Sequence, residues 1–272
     1  MDQLCLLDGA MGTELMKRGV QTPRLPEQVN LLEPEAVQAI HRDYIEAGSR
    51  IIYACTFGCN PLKARGEAVA PVIEAALGNA RSAAGDLARV ALDVGPLGQL
   101  LEPYGDLTEE EAGAAFREVF SAGAAADLIV LETFFDLTEL RIALAAARET
   151  LPDKLVFATM TFQRSGHTLT GVTVEEMARA LSEDGASAVG LNCSLGPVEA
   201  LPLAEALREA TDKPLIVKPN AGMPDPVTGA YPMDAAAFAE AMAPILGLGV
   251  QYAGGCCGTN PDYIRNLARY AE

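Results

Sequence analysis

The sequence predicts an α/β protein, a single (β/α)8 TIM barrel over residues 1–272. Three observations predict it. Short apolar runs alternate with longer amphipathic stretches along the whole chain, eight of the former each followed by one of the latter. The length of 272 residues lies near the ~250 typical of such barrels. No change of composition, low-complexity linker or short repeat divides the chain. A doubly wound open sheet shares the alternation and is the structural alternative.

The predicted strands are Leu4–Asp8, Arg50–Phe57, Arg89–Val94, Asp127–Glu132, Leu155–Thr161, Ala188–Cys193, Pro214–Pro219 and Val250–Gly254. Each is a short apolar run of the kind a buried parallel strand needs. Amphipathic helices are expected at Pro34–Ala47, Leu107–Ala122, Leu137–Thr150, Thr173–Glu183, Val198–Ala210 and Asp234–Leu246. Thr108 with Glu111, and Thr173 with Glu176, have the capping-box spacing that marks a helix start.

Bulk properties bound the function. Half the residues are hydrophobic, enough for a substantial core. A formal net charge of −17 argues against nucleic acid and anionic membrane surfaces as partners, since both select basic patches. No apolar run approaches the ~20 residues of a membrane span, and the start MDQLCLLDGAMGTEL has no basic, cleavable leader pattern. A cytoplasmic location is expected. There, the six cysteines (Cys5, Cys55, Cys59, Cys193, Cys256 and Cys257) stay reduced and free to act as ligands or nucleophiles. None forms a CxxC pair.

Active sites of these barrels lie at the C-terminal strand ends. Those ends carry Asp8-Gly9-Ala10, Cys55-Thr56, Glu132-Thr133, Asn192-Cys193-Ser194, Pro219-Asn220-Ala221-Gly222 and Gly254-Gly255-Cys256-Cys257-Gly258. Adjacent residues of a strand point to opposite faces, so two neighbouring cysteines reach one point only through a turn, which glycines permit. Strands six and eight flank strand seven, so Cys193, Cys256 and Cys257 can converge on one ion. Sulfur ligands favour zinc, and three protein ligands leave a fourth position open. Three thiolates on Zn2+ leave the site at about −1, a poor generator of hydroxide but a good holder of a further thiolate. The chemistry expected is alkyl transfer to a thiol. Cys5, Cys55 and Cys59 read as small buried residues. His41, in a helix, is expected to be exposed and His167 to lie in a loop. Neither is given a role, because a metal that ionises the thiol removes the need for a histidine base.

The stretches DGAMGTEL, LETF, LNCSLGP, PNAG and GGCCGT together resemble the homocysteine S-methyltransferase family over nearly the whole chain. The likeness extends to the homocysteine-binding N-terminal module of the cobalamin-dependent members. The resemblance implies one zinc per chain on Cys193, Cys256 and Cys257, and methyl transfer to homocysteine. It implies Asp8 and Glu132 as partners of the substrate ammonium, and backbone donors at Gly9 and Ala10 for its carboxylate. Thr56 would offer a hydroxyl nearby. Asn220 would lie near the zinc, orienting the site or filling the fourth position until the thiol arrives.

The donor is less legible. Quaternary ammonium donors are commonly held by aromatic cages in which Trp is the best wall, and this chain has no Trp. Neither histidine stands in an Asp-x-His-x-x-Gly corrinoid signature. The expectation is methylcobalamin supplied in trans by a separate corrinoid protein. An S-methylmethionine- or betaine-type donor, and a non-catalytic zinc and thiol-binding subunit, are the alternatives.

Overall fold

The computed structural model describes residues 4–271, so the outermost residues of the expected 1–272 domain fall outside it. Its strands are β1 (Cys5–Leu6), β2 (Ile51–Tyr53), β3 (Arg89–Val94), β4 (Leu128–Phe134), β5 (Leu155–Met160), β6 (Ala188–Asn192), β7 (Leu215–Lys218) and β8 (Tyr252–Ala253). All pair in parallel in the order β1-β8-β7-β6-β5-β4-β3-β2. The two ends of that order meet: Arg50 N–H donates to the Leu6 carbonyl over 2.8 Å. Beside it, the Ser49 hydroxyl donates to the Leu7 carbonyl and Tyr53 N–H to Asp8 Oδ2 over 2.7 Å. Side chains thus complete the seam of a (β/α)8 barrel.

Each strand leads to an outer helix: Pro34–Ala47, Ala70–Ala84, Glu109–Ala122, Leu137–Thr150, Val174–Glu183, Pro197–Ala210, Ala235–Gly247 and Pro261–Leu267. Both expected capping boxes form, Thr108 with Glu111 and Thr173 with Glu176. The helices Ala70–Ala84 and Pro261–Leu267 were not among the expected segments. The first opens without a side-chain cap and is rich in alanine, which blunts its period. The second has only seven residues.

Period-two alternation divides the strand side chains into two cores. Ile52, Leu92, Ile129, Leu131, Ala158, Leu191 and Val217 face the helices. Leu7, Ile51, Tyr53, Ala91, Leu128, Val130, Phe157, Ala188 and Ile216 fill the barrel. Continuing the inward rows toward the C-terminal ends replaces apolar residues by Asp93, Glu132, Thr159, Asn192 and Lys218, all buried. The barrel is therefore oily below and ionic at its mouth.

His41 lies opposite to expectation. It is fully buried, and burial without a partner lowers its pKa to about 4, leaving a neutral ring. Its helix face packs on the barrel, where the imidazole acts as an apolar filler. His167 sits in a loop beside an isolated bridge to Thr173, as expected. Among the described residues, no helix is long and apolar enough to cross a membrane.

Candidate metal and acceptor site

Cys193, Cys256 and Cys257 meet at the mouth of the barrel. Their sulfurs all lie within 4.8 Å of one another, and Cys193 and Cys257 are 3.8 Å apart. A tetrahedral ion 2.3 Å from each sulfur would set that spacing to about 3.8 Å. No other such group of His, Cys, Asp or Glu occurs among the described residues.

The backbone is bent to bring these sulfurs together. Past the end of β6, Cys193 and Ser194 both adopt left-handed conformations, φ 59° and 54°. Such non-glycine residues cost about 1–3 kcal/mol each and persist only where the surroundings impose them. On the β8 side, Gly254 passes so close to β1 that a Cβ would lie 2.5 Å from the Asp8 carbonyl oxygen. Gly258 takes φ +82° and ends the turn that presents both thiols. Asn220 Oδ1 accepts from Cys257 N–H over 3.1 Å, and the Pro219 carbonyl accepts from Cys256 N–H over 2.8 Å. Asn220 therefore braces the cysteine turn from β7.

The hydrogen bonds among the three sulfurs shift their thiols unequally. Hydrogen bonds from Cys193 and Cys256 pull Cys257 down to about 3, and the Tyr231 hydroxyl assists. Cys256, which gives its hydrogen bonds to the other two sulfurs and is partly buried, is pushed well up. A soft cation with charge +2 removes this conflict by replacing the shared protons. The donor set and its spacing fit zinc. Cys5, Cys55 and Cys59 lie apart from the cluster, and burial holds their thiols protonated.

Below the thiols lies a second group. Lys218 Nζ sits 3.2 Å from Asp8 Oδ1, 3.1 Å from Glu132 Oε1 and 3.6 Å from the centre of the Tyr53 ring. Burial alone would discharge this lysine, but the Glu132 and Asp8 carboxylates outweigh it and raise its pKa. Burial pushes the Asp8 carboxyl up to about 6 against the opposing charge of Lys218. Asp93 is driven further up, by burial and then by Glu132, and its Oδ1 has no hydrogen-bond partner.

Glu132 owes its aim to an irregularity. The β4–β5 register shifts between Leu131 and Phe134, and Thr133 takes φ 63°. A β-branched residue at positive φ is a genuine outlier. Asn192 holds it there: Oδ1 accepts from Thr133 N–H (3.0 Å) and the Thr159 hydroxyl (2.8 Å), while Nδ2 donates to Thr133 Oγ1 (2.7 Å). Asn192 immediately precedes Cys193 and also lies 3.9 Å from Cys256 Sγ. It ties the carboxylate group to the thiol cluster.

The remaining expected residues border these groups. Gly9 has no room for a Cβ, which would lie 2.6 Å from Thr259 Oγ1 and 2.8 Å from the Tyr44 hydroxyl. Ala10 N–H makes a long 3.3 Å bond to Thr259 Oγ1, and its carbonyl accepts from the Tyr44 hydroxyl. The Thr56 hydroxyl is engaged with β3, donating to the Asp93 carbonyl (2.7 Å) and accepting from Asp93 N–H (3.1 Å). Sequence reasoning missed Lys218, Asp93, Tyr53 and Tyr231, and named Asn192 at its strand end without giving it a role. Carrying the inward alternation of β7 and β6 to the strand ends would have found Lys218 and aimed Asn192 into the site.

The barrel brings three thiols together at its mouth, and the comparisons with known proteins say which class of barrel this is. The chain belongs to the homocysteine S-methyltransferase family, whose model matches residues 5–271. It is 33% identical over 302 residues to a methionine synthase of Mycobacterium tuberculosis, and 32% identical over 298 residues to that of Mycobacterium leprae. Each alignment covers 96% of this chain and 24% of the relative, so the chain spans about a quarter of their length. Among solved structures it resembles the metallated form of the homocysteine methyltransferase MmuM from Escherichia coli. The TM-score is 0.83 at 27% identity, covering 98% of this chain and 96% of that one. The oxidised form of the same protein superposes with TM-score 0.84 at 26% identity.

Proposed function

We propose that this barrel transfers a methyl group to the thiol of homocysteine, giving methionine, at a zinc held by Cys193, Cys256 and Cys257. The observation that carries the reading is the convergence of those three sulfurs within 4.8 Å at the strand ends. The metallated form of the similar MmuM protein supports it. A bound zinc would supply an open position at which the acceptor thiol is ionised near neutral pH and kept nucleophilic.

The chain's own residues do the rest. Cys193 and the Cys256–Cys257 turn present three sulfurs from one side and leave the mouth of the barrel open on the other. Asn220 and the Pro219 carbonyl hold that turn rigid, so little reorganisation accompanies the reaction. The amino-acid head of homocysteine would dock below, with Glu132 facing its amino group, Asp8 behind it in the same ion group, and the Gly9–Ala10 backbone on its carboxylate. Thr56 and Asn220 shape the pocket through the backbone they fix. Asn192 sets the distance between head and thiol by bonding both the Glu132 bulge and the cysteine turn.

The proposed donor is methylcobalamin on a separate corrinoid protein, and the methionine synthase relatives support this choice. The test is methionine formation by zinc-loaded protein from homocysteine, with methylcobalamin or S-methylmethionine as donor. Methionine from methylcobalamin supports the full reading. Methionine only from S-methylmethionine keeps the acceptor and replaces the donor. If neither donor yields methionine while zinc and homocysteine bind, the barrel is a non-catalytic binding subunit and the proposal falls.

A further inference from the structure

The strand ends hold two carboxylates suited to a substrate ammonium, Asp8 and Glu132, yet the space between them is taken. Lys218 Nζ stands 3.2 Å from one and 3.1 Å from the other, with the Tyr53 ring 3.6 Å away on a third side. Carboxylate, carboxylate and π-face are the surroundings a buried ammonium needs. The lysine side chain is only 3% exposed, so this is no surface ion pair. Both oxygens of Asp8 are already engaged: Oδ1 faces Lys218 and Oδ2 accepts from Tyr53 N–H over 2.7 Å. Glu132 keeps the larger edge toward solvent, its side chain being 11% exposed against 5% for Asp8, and its Oε1 makes no hydrogen bond.

We propose that Lys218 is a built-in ammonium filling the acceptor's amino subsite, so that the acceptor class extends to thiol carboxylates lacking an α-amino group. The inference rests on the thiol-methylation reading above and narrows how that site tells acceptors apart. Two ammonium groups cannot share one gap between the same carboxylates, because like charges a few ångströms apart repel and each needs the same acceptors. An incoming α-ammonium therefore keeps one interaction, with the solvent-facing edge of Glu132. A single charge-assisted hydrogen bond of that kind discriminates by about 10- to 100-fold. The chain position fits this role. Lys218 is the last residue of β7, and its inward row continues Ile216 of the barrel core. The lysine aliphatic stem replaces the volume an aromatic or aliphatic residue would fill, and its charge arrives at the subsite.

The test compares dissociation constants of homocysteine and its des-amino analogue, 4-mercaptobutyrate, for zinc-loaded wild-type protein by titration calorimetry. The proposal expects the two within about 100-fold of each other. A larger preference for homocysteine overturns it while leaving the thiol-methylation reading intact. Binding of neither thiol overturns both. In Lys218→Met, which vacates the subsite, homocysteine is expected to gain on the analogue by 10-fold or more, and an unchanged ratio in a folded variant contradicts the inference. The wild-type comparison decides the matter even if that variant does not fold.

Discussion

At the scale of single residues, the site is a set of costs that the fold imposes for a geometric return. Thr133, Cys193 and Ser194 hold left-handed backbone conformations that their side chains disfavour. Asp8, Asp93 and Lys218 are ionisable groups kept from water. Each departure sits at a strand end and aims one group at the mouth of the barrel, which is where local rules are expected to break in a working protein. The three cysteines bear this most directly. Replacing Cys257 by Ser keeps the turn and its Asn220 bond but exchanges a soft thiolate for a hard hydroxyl. Zinc affinity should fall by at least the roughly 10–100-fold that losing a residue behind a ligand costs, and methyl transfer should be lost. Metal content after dialysis checks it, and full zinc retention would contradict the assigned ligand set.

At the scale of elements, buried carboxylates also serve joints that lie outside the site. Glu139, on the helix Leu137–Thr150, accepts from Leu97 N–H over 2.7 Å and so fastens the loop after β3. Burial raises its pKa from 4.5 to about 7. Because the folded-state pKa lies above the ordinary value, the folded protein keeps the proton through that window. Its contribution to stability is therefore present below about pH 4.5 and is lost as pH rises to about 7. Glu139→Gln keeps an acceptor without the charge. It should match wild type near pH 4.5 and exceed it at pH 8 by on the order of 1–2 kcal/mol in denaturant unfolding. Equal stability at pH 8 would refute the assignment. Elements of this kind show what a sequence can reveal. The strands β3, β5 and β6 and the two capping boxes were legible, because apolar runs and hydroxyl–Glu spacing are local signals. The turn of Cys256 and Cys257 was legible because adjacent ligands demand glycines. The ion group was only half visible. Asp8 and Glu132 stood at strand ends in recognisable stretches, but Lys218 lay inside what reads as an apolar run, and its partners are some 86 and 210 residues away in sequence. His41 misled because a polar residue on a helix reads as exposed, whereas its neutral ring packs in the core.

At the scale of the whole molecule, the barrel supplies what no local motif could. The parallel order places β8 between β1 and β7, so Asp8, Lys218 and the cysteine turn become neighbours although they span the chain from one end to the other. The seam between β1 and β2 closes through Asp8 itself, whose Oδ2 takes the Tyr53 N–H. One carboxylate thus serves both the closure of the barrel and the ion group at its mouth. The apolar lower barrel excludes water beneath that group and raises the strength of every interaction in it. The central claim is that this architecture presents a three-sulfur metal to an acceptor thiol. Zinc-edge X-ray absorption of anaerobically purified, zinc-loaded protein, with and without homocysteine, tests it most directly. The account predicts three sulfur ligands alone and four with homocysteine; a sulfur count that homocysteine leaves unchanged would contradict it.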